Sequence, residues 1–316
     1  MPLLVYSEKS IIISIRSDTK IGNQTETKRK DRRMLSKITQ EEFHDYLDFA
    51  YRLALEPERS GYPTYTDGIK TRSDFIKSAE KGLCAGQNEL LVYRREGVVE
   101  GWIQYFWEPE THYLQTTLFN IRTDMAGAMG EFLHYIKTRF PDYHIYMGFP
   151  EENRQALKCL SEHGFSCNEE SYNNSFFFDT YHIVPEKQDI RAVDDANYQD
   201  FRTLHAPLDT EIYWNNDRIL ADIFHWNISI YYKNDVPAAA LYFRCDSIMP
   251  EIYGIDYRND IFEGLACRSL LIHALNEGKK SGAEYLVWFC DDQHQPLAHA
   301  LGFHCVGKYL CFDKIV

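Results

Sequence analysis

The run Glu263-Gly264-Leu265-Ala266 opens a stretch whose apolar residues at 266, 270, 271, 274 and 275 keep a helical spacing. Small residues at a helix start let backbone N–H groups approach an anion, and the helix dipole favours negative charge there. Taken alone, the same residues serve equally as a packed helix start, with Leu265 buried between Gly264 and Ala266. Upstream, Glu251 and Asp256 lie on a predicted strand, 251–257. Side chains alternate along a strand, so 251, 253 and 255 share one face and 252, 254 and 256 the other. Only one of these carboxylates can meet a reactant as a proton acceptor, and Asp256, nearer the strand's end, is preferred. Cys290 closes a predicted buried strand, 284–290. A nucleophilic thiol needs a base and an orienting partner, and neither is identifiable, so Cys290 reads as a packed thiol. His294, His299 and His304 stand near Asp291 and Asp292, but a spacing of five is poor for one helix face, and no metal site is expected.

These residues belong to a recognisable run of elements. Residues 190–193 read as a strand and 194–205 as a capped helix, with Asp194 or Asp195 as the cap. A second helix follows over 216–225, then a hairpin, 228–233 with 236–244. The strand 251–257, the helix 266–280, the strand 284–290, a short helix from Pro296 and closing strands over 304–312 complete the order β-α-α-β-β-β-α-β-α-β. The same order recurs earlier in the chain. The hairpin at Tyr93–Val99 matches that at Tyr231–Pro237, 138 positions later, and at that offset Asn153 falls on Asp291 and His163-Gly164-Phe165 on Leu301-Gly302-Phe303. The first copy carries 14 extra residues before its hairpin, including the turn-rich Gly61-Tyr62-Pro63-Thr64-Tyr65-Thr66-Asp67-Gly68.

The glycine-bearing turn at 263–266, the polar residue closing the fifth strand (Asp291, and Asn153 in the first copy) and the late Gly-Phe at 302–303 and 164–165 resemble the GNAT N-acyltransferase superfamily. The resemblance covers about residues 36–316. It implies a mixed α/β (α+β) chain of two tandem GNAT-like domains, each a mixed, mostly antiparallel central sheet flanked by helices. The expected boundaries are a disordered basic leader over 1–35, a degenerate domain over 36–183, a linker over 184–188 and an acyl-CoA-binding domain over 189–316. The leader holds the run Lys28-Arg29-Lys30-Asp31-Arg32-Arg33, and an upstream start with Met34 as the true one is an equal account of it.

The resemblance further implies an acetyl-CoA co-substrate in the second copy, with Ile255, Tyr257, Arg258, Gly264, Leu265, Ala266 and Asp291 as binding residues. Asp256, Glu251 and Tyr309 are the candidates for acid and base. The family's tyrosine on the penultimate helix falls on Ala298 and Leu160, so both copies lack it, and its Gln or Arg before the first glycine is replaced by Ile261. In the first copy the turn reads Asp124-Met125-Ala126-Gly127-Ala128, and a carboxylate there repels phosphate. The expected function is therefore N-acyl transfer to an amine of a small molecule or peptide, by direct attack in the second copy. A non-catalytic tandem that binds a ligand or partner is the alternative, favoured by the missing tyrosine.

Composition bounds the remaining classes. The chain has 316 residues, 44% hydrophobic and 15% aromatic, and a formal charge of -13. Such acidity argues against nucleic acid as a partner, which calls for a basic footprint. No apolar run is long enough to span a bilayer, so no membrane partner is expected. Eight cysteines without a C-x-x-C pair, and no secretory signal, read as reduced thiols in a cytoplasmic protein.

Overall fold

The computed structural model describes residues 33–84, 86–186, 188–208, 213–244 and 250–316. Lys28–Arg32 with most of the expected leader, Lys187 of the expected linker, and Cys245 lie outside the described residues. The first copy runs β1 (Arg33–Lys37), α1 (Gln40–Ala54), α2 (Arg72–Lys81), β2 (Asn88–Arg95), β3 (Val98–Glu108), β4 (Tyr113–Ile121), α3 (Met125–Arg139), β5 (His144–Pro150), α4 (Arg154–Glu162) and β6 (Ser166–Phe177). The second runs β7 (Ile190–Ala192), α5 (Tyr198–His205), α6 (Asn216–Ala221), β8 (Asn227–Lys233), β9 (Val236–Arg244), β10 (Glu251–Tyr257), α7 (Gly264–Ser281), β11 (Tyr285–Cys290), α8 (Gln295–Ala300) and β12 (His304–Ile315). The order of elements is the same in both.

Local chemistry sets several boundaries. Thr39 with Glu42, and Thr71 with Asp74, form reciprocal capping boxes that start α1 and α2. Gly282 ends α7 at φ 81°, in the left-handed region that favours glycine. Asp194 does not cap α5. Its carboxylate accepts from the Ala196 amide instead, which holds a turn, and the helix begins four residues later at Tyr198. The basic leader also ends earlier than expected, because Arg33–Lys37 pairs antiparallel with β2. The expected linker is docked rather than loose. Asn276 on α7 accepts from the Val184 amide at 3.0 Å and donates to the Val184 carbonyl at 2.8 Å.

The copies do not keep separate sheets. The described strands form one sheet in the order β1-β2-β3-β4-β5-β12-β6-β11-β10-β9-β8-β7. Each copy's last strand has crossed into the other half. β12 pairs with β5 of the first copy, β6 pairs with β11 of the second, and β6 and β12 pair antiparallel with each other at the centre. The exchange covers the edge that each fifth strand would otherwise leave open. Equivalent turns deliver the crossing strands: Gly164 at φ 73° and Gly302 at φ 95°, each followed by a buried phenylalanine, Phe165 or Phe303.

Apolar residues pack on both faces of both halves. In the first half α3 and α4 cover one face through Phe132, Ile136 and Leu160, and α1 and α2 cover the other through Phe43, Leu47 and Phe75. In the second half α7 and α8 cover one face through Leu270, Leu271 and Ala298, and α5 covers the other through Phe201 and Leu204. The centre of the sheet, where the exchanged strands meet, is where a cavity opens.

Candidate active site

Each copy has one parallel strand pair, and in each that pair separates. β10 and β11 pair only through Glu251 with Val287 and Ile252 with Trp288. Beyond them the strands diverge, and α7 starts just past the open end. Its N-cap, Glu263, makes no side-chain cap bond, because its carboxylate is held by Lys233 at 2.6 Å. The first-turn N–H groups of α7 therefore have no capping side chain. A Cβ added at Gly264 would meet nothing nearer than the Phe262 ring at 3.6 Å, so the turn is open to a bulky ligand. Uncapped N–H groups and the helix dipole together make an anion site, and the turn can hold a pyrophosphate.

The first copy has the same parts, already filled. β4 and β5 pair through Tyr113–Gln115 and then diverge. The chain's own residues 59–62 lie in that gap. The Ile121 amide donates to the Arg59 carbonyl and the Tyr62 amide to the Gly148 carbonyl, both at 2.9 Å, so the insert bonds to both separated strands. The Gly61 amide donates to Asn120 at 3.2 Å, and Asn153 donates to the Ser60 carbonyl at 3.0 Å. A Cβ at Gly61 would lie 3.2 Å from the Phe119 amide nitrogen, which explains a glycine there. At the helix end, the Asp124 carboxylate accepts from the Gly127 amide at 3.2 Å and from the Tyr93 hydroxyl at 2.8 Å. A side-chain anion thus sits at the N-terminus of α3.

Between the two gaps lies a cavity of about 340 Å³ on the central strands. Glu251, Tyr253, Phe289, Tyr309, Glu169 and Tyr62 are among its lining residues. A wider chamber of about 670 Å³ shares Gln115, Glu169 and Tyr309 with it and reaches Tyr213 and Arg218. Burial pushes the Glu251 carboxyl up to about 7, with Lys70 opposing and Glu169 adding to the rise. A carboxyl near 7 is poised to take a proton at neutral pH. The Tyr309 ring stands edge-on to Tyr62 at 4.5 Å and to Phe289 at 5.4 Å. Burial raises its phenol well above the usual range, so it stays protonated.

No protein-family model matches the chain, and no curated protein matches it in sequence. Solved structures do. A GCN5-related N-acetyltransferase from Sphaerobacter thermophilus aligns at 13% identity and a TM-score of 0.61, over 90% of this chain and 96% of that one. A tandem GNAT protein from the clavulanic acid biosynthesis pathway aligns at 12% and 0.51, over 90% and 98%. A glucosamine N-acetyltransferase region of a fungal multi-domain β-N-acetylglucosaminidase aligns at 12% and 0.58, over 93% of this chain and 40% of that one. The chain has the tandem GNAT fold.

Within that fold the expected site residues divide. Gly264 and Ala266 stand at the open helix start, but Leu265 is 53% exposed there rather than buried between them. Position 265 is on the outward side of the first turn, while Ala266 packs inward with Cys267. Ile255 and Tyr257 lie on the α7 face of β10. Arg258 is turned back, its Nε donating to the Pro237 carbonyl at 2.7 Å. Asp291 caps the turn into α8, accepting from the His294 amide at 2.9 Å, and His294 in turn meets the Tyr257 hydroxyl at 2.9 Å.

Asp256, the preferred base, is misplaced for that task. It is 5% exposed and bonded to His205 Nδ1 at 2.6 Å, while His205 Nε2 meets the Trp214 carbonyl. It points into the α5 face and braces that helix. Glu251, the second choice, is the carboxylate that faces the cavity. Cys290 is buried, hydrogen-bonded with Asn174 and Gln295, and its thiol is pushed up to about 12 by burial. A thiol so held is a poor nucleophile at neutral pH. The sequence reading missed Glu169 as a site residue. It belongs to the first copy and reaches the cavity only through the strand exchange, which no local pattern announces. Tyr62 and Tyr213, in the helix-to-hairpin regions where the resemblance implies an acceptor pocket, do line the two spaces.

Proposed function

We propose that the second copy transfers an acetyl group from acetyl-CoA to an amine, and that the first copy is a structural partner with no coenzyme of its own. The contrast between the uncapped, open start of α7 and the self-filled gap of the first copy carries this reading. In it, the first-turn N–H groups of Gly264, Leu265 and Ala266 hold the pyrophosphate. Main-chain N–H groups of β10 beyond Ile252, released where pairing with β11 stops, face the thioester oxygen and stabilise the charge that develops there.

Glu251 takes the proton from the incoming ammonium, which frees the nitrogen lone pair to attack the thioester carbon. The C–N bond forms, the C–S bond breaks, and the departing thiolate needs a proton. Ala298, fully buried on α8, cannot supply it. The protonated Tyr309 phenol is the acid that the cavity offers, and the phenolate it leaves takes the second proton that the nitrogen sheds on becoming an amide. Placing both reactants side by side is worth roughly 7–11 kcal/mol in favourable cases, so modest acid–base help suffices.

Titration calorimetry with acetyl-CoA tests the reading: one molecule per chain is expected, with thiol released when an amine is added. Two molecules per chain, or none, overturns it. Binding without thiol release for any amine leaves a ligand-binding tandem instead.

A further inference from the structure

The cavity beside Glu251 is shaped for more than a reactive nitrogen. Its walls carry the rings of Tyr62, Phe289 and Tyr309. It holds two carboxylates, Glu251 from β10 and Glu169 from the exchanged strand β6. Among the described residues neither has a basic partner within ion-pair distance. The Ser171 hydroxyl donates to Glu169 at 2.9 Å. The surrounding protein raises the Glu169 carboxyl, yet Glu169 is solvent-accessible through the wider chamber. The other charges at hand are already matched: Arg218 by Glu108 at 3.4 Å, His144 by Asp313, and Lys308 by Glu170.

A further observation points to a donor-bearing ligand. The Thr117 hydroxyl, on the cavity wall, is buried without a hydrogen-bond partner among the described residues. Aromatic faces and unmatched carboxylates attract ammonium groups, and an unmatched hydroxyl oxygen accepts from them. The two carboxylates line one connected space, since Gln115, Glu169 and Tyr309 border both the cavity and the wider chamber. A chain with a cationic group at each end satisfies both, whereas a monoamine leaves Glu169 unmatched.

We propose that the acceptor is a linear diamine or longer polyamine, with its reacting nitrogen at Glu251 and a second ammonium held by Glu169. This rests on the acyl-transfer reading for the role of Glu251, while Glu169 contributes only binding. The first copy then supplies part of the acceptor site through β6 and the Tyr62 loop.

The test compares 1,4-diaminobutane with 1-aminobutane on the full chain, by calorimetry with and without acetyl-CoA and by thiol release. The diamine should bind at least tenfold more tightly. Glu169→Gln should remove that advantage, raising KM for the diamine about tenfold and the monoamine's KM far less. Glu169→Asp should restore part of it, and unaltered acetyl-CoA affinity in both variants reports an intact fold. Equal affinity for the two amines, or equal weakening of both by Glu169→Gln, overturns the proposal. Failure of acetyl-CoA to bind sinks the acyl-transfer reading instead, and the calorimetry without coenzyme still decides the diamine.

Discussion

The starts of α3 and α7 occupy the same place in the two copies and do opposite things. At α7 no side chain caps the first turn, and Lys233 draws the one nearby carboxylate aside. At α3 the Asp124 carboxylate caps the turn and is itself held by Tyr93. The strand gaps differ in the same sense. Residues 59–62 fill the gap between β4 and β5 with four hydrogen bonds, whereas among the described residues no main-chain bond from outside the sheet enters between β10 and β11. A folded protein cannot leave buried backbone groups unmatched. The first copy matches them with its own chain; in the second copy the proposed acetyl-CoA is their partner.

The largest expected effect tests whether only one copy works. Glu251→Gln should lower kcat/KM by about 10²–10⁴, the usual worth of a positioned base. It should also erase the rise in rate with pH that is expected near 7, where the wild-type carboxyl ionises. A second active copy would show itself as substantial residual turnover. Stability moves the other way. The folded carboxyl, near 7, is raised above its ordinary 4.5, so the folded chain holds a proton that the unfolded chain has released. That stabilising contribution is full below about 4.5 and lost as pH rises through 7, so Glu251→Gln should be the more stable protein at pH 8 by urea titration.

Gly264→Asp would give α7 a carboxylate in its first turn, as α3 has at its cap. It should weaken acetyl-CoA by at least about 100-fold, or about 2.7 kcal/mol, as calorimetry reads it. Unchanged affinity would remove the pyrophosphate site from α7.

Asp256→Asn separates bracing from catalysis. Replacing the carboxylate that holds His205 with a neutral amide should cost about 0.5–1.5 kcal/mol of stability, while the pH dependence near 7 persists. Loss of that pH dependence would return the base to Asp256.

Asp124→Ala is the smallest change. It should cost about 0.5–2 kcal/mol, the worth of an N-cap, and acetyl-CoA should still bind once per chain, because the insert keeps the first gap closed. A second binding event would mean that the cap alone keeps coenzyme out.

The repeat, the element order and the helix start at Gly264 were legible because each depends on residues near one another in the chain. Strand alternation put Glu251 and Asp256 on opposite faces, but a register shift between Ile252 and Gly254 interrupts that parity, so Glu251 pairs with Arg244 and Asp256 with Ala240, positions that share one face of β9. Only the tertiary structure turns Glu251 to the cavity and Asp256 to His205. Leu265 was misjudged for a related reason. A helix's first turn often protrudes beyond the sheet it packs on, and periodicity does not say where the packing begins.

What the sequence determined by itself is the unit: two copies of one β-α-α-β-β-β-α-β-α-β run, and an asymmetry between Asp124 and Gly264 that separates their helix starts. What only the tertiary structure decided is how the units share parts. The exchange of β6 and β12 is open to the chain because two copies of one fold offer equivalent edges, and a strand satisfies its backbone equally in either. Nothing in the local sequence distinguishes those edges. That choice carries Glu169 to the cavity, and the packing of the insert sets Tyr62 beside it. The central cavity is therefore a property of the pair.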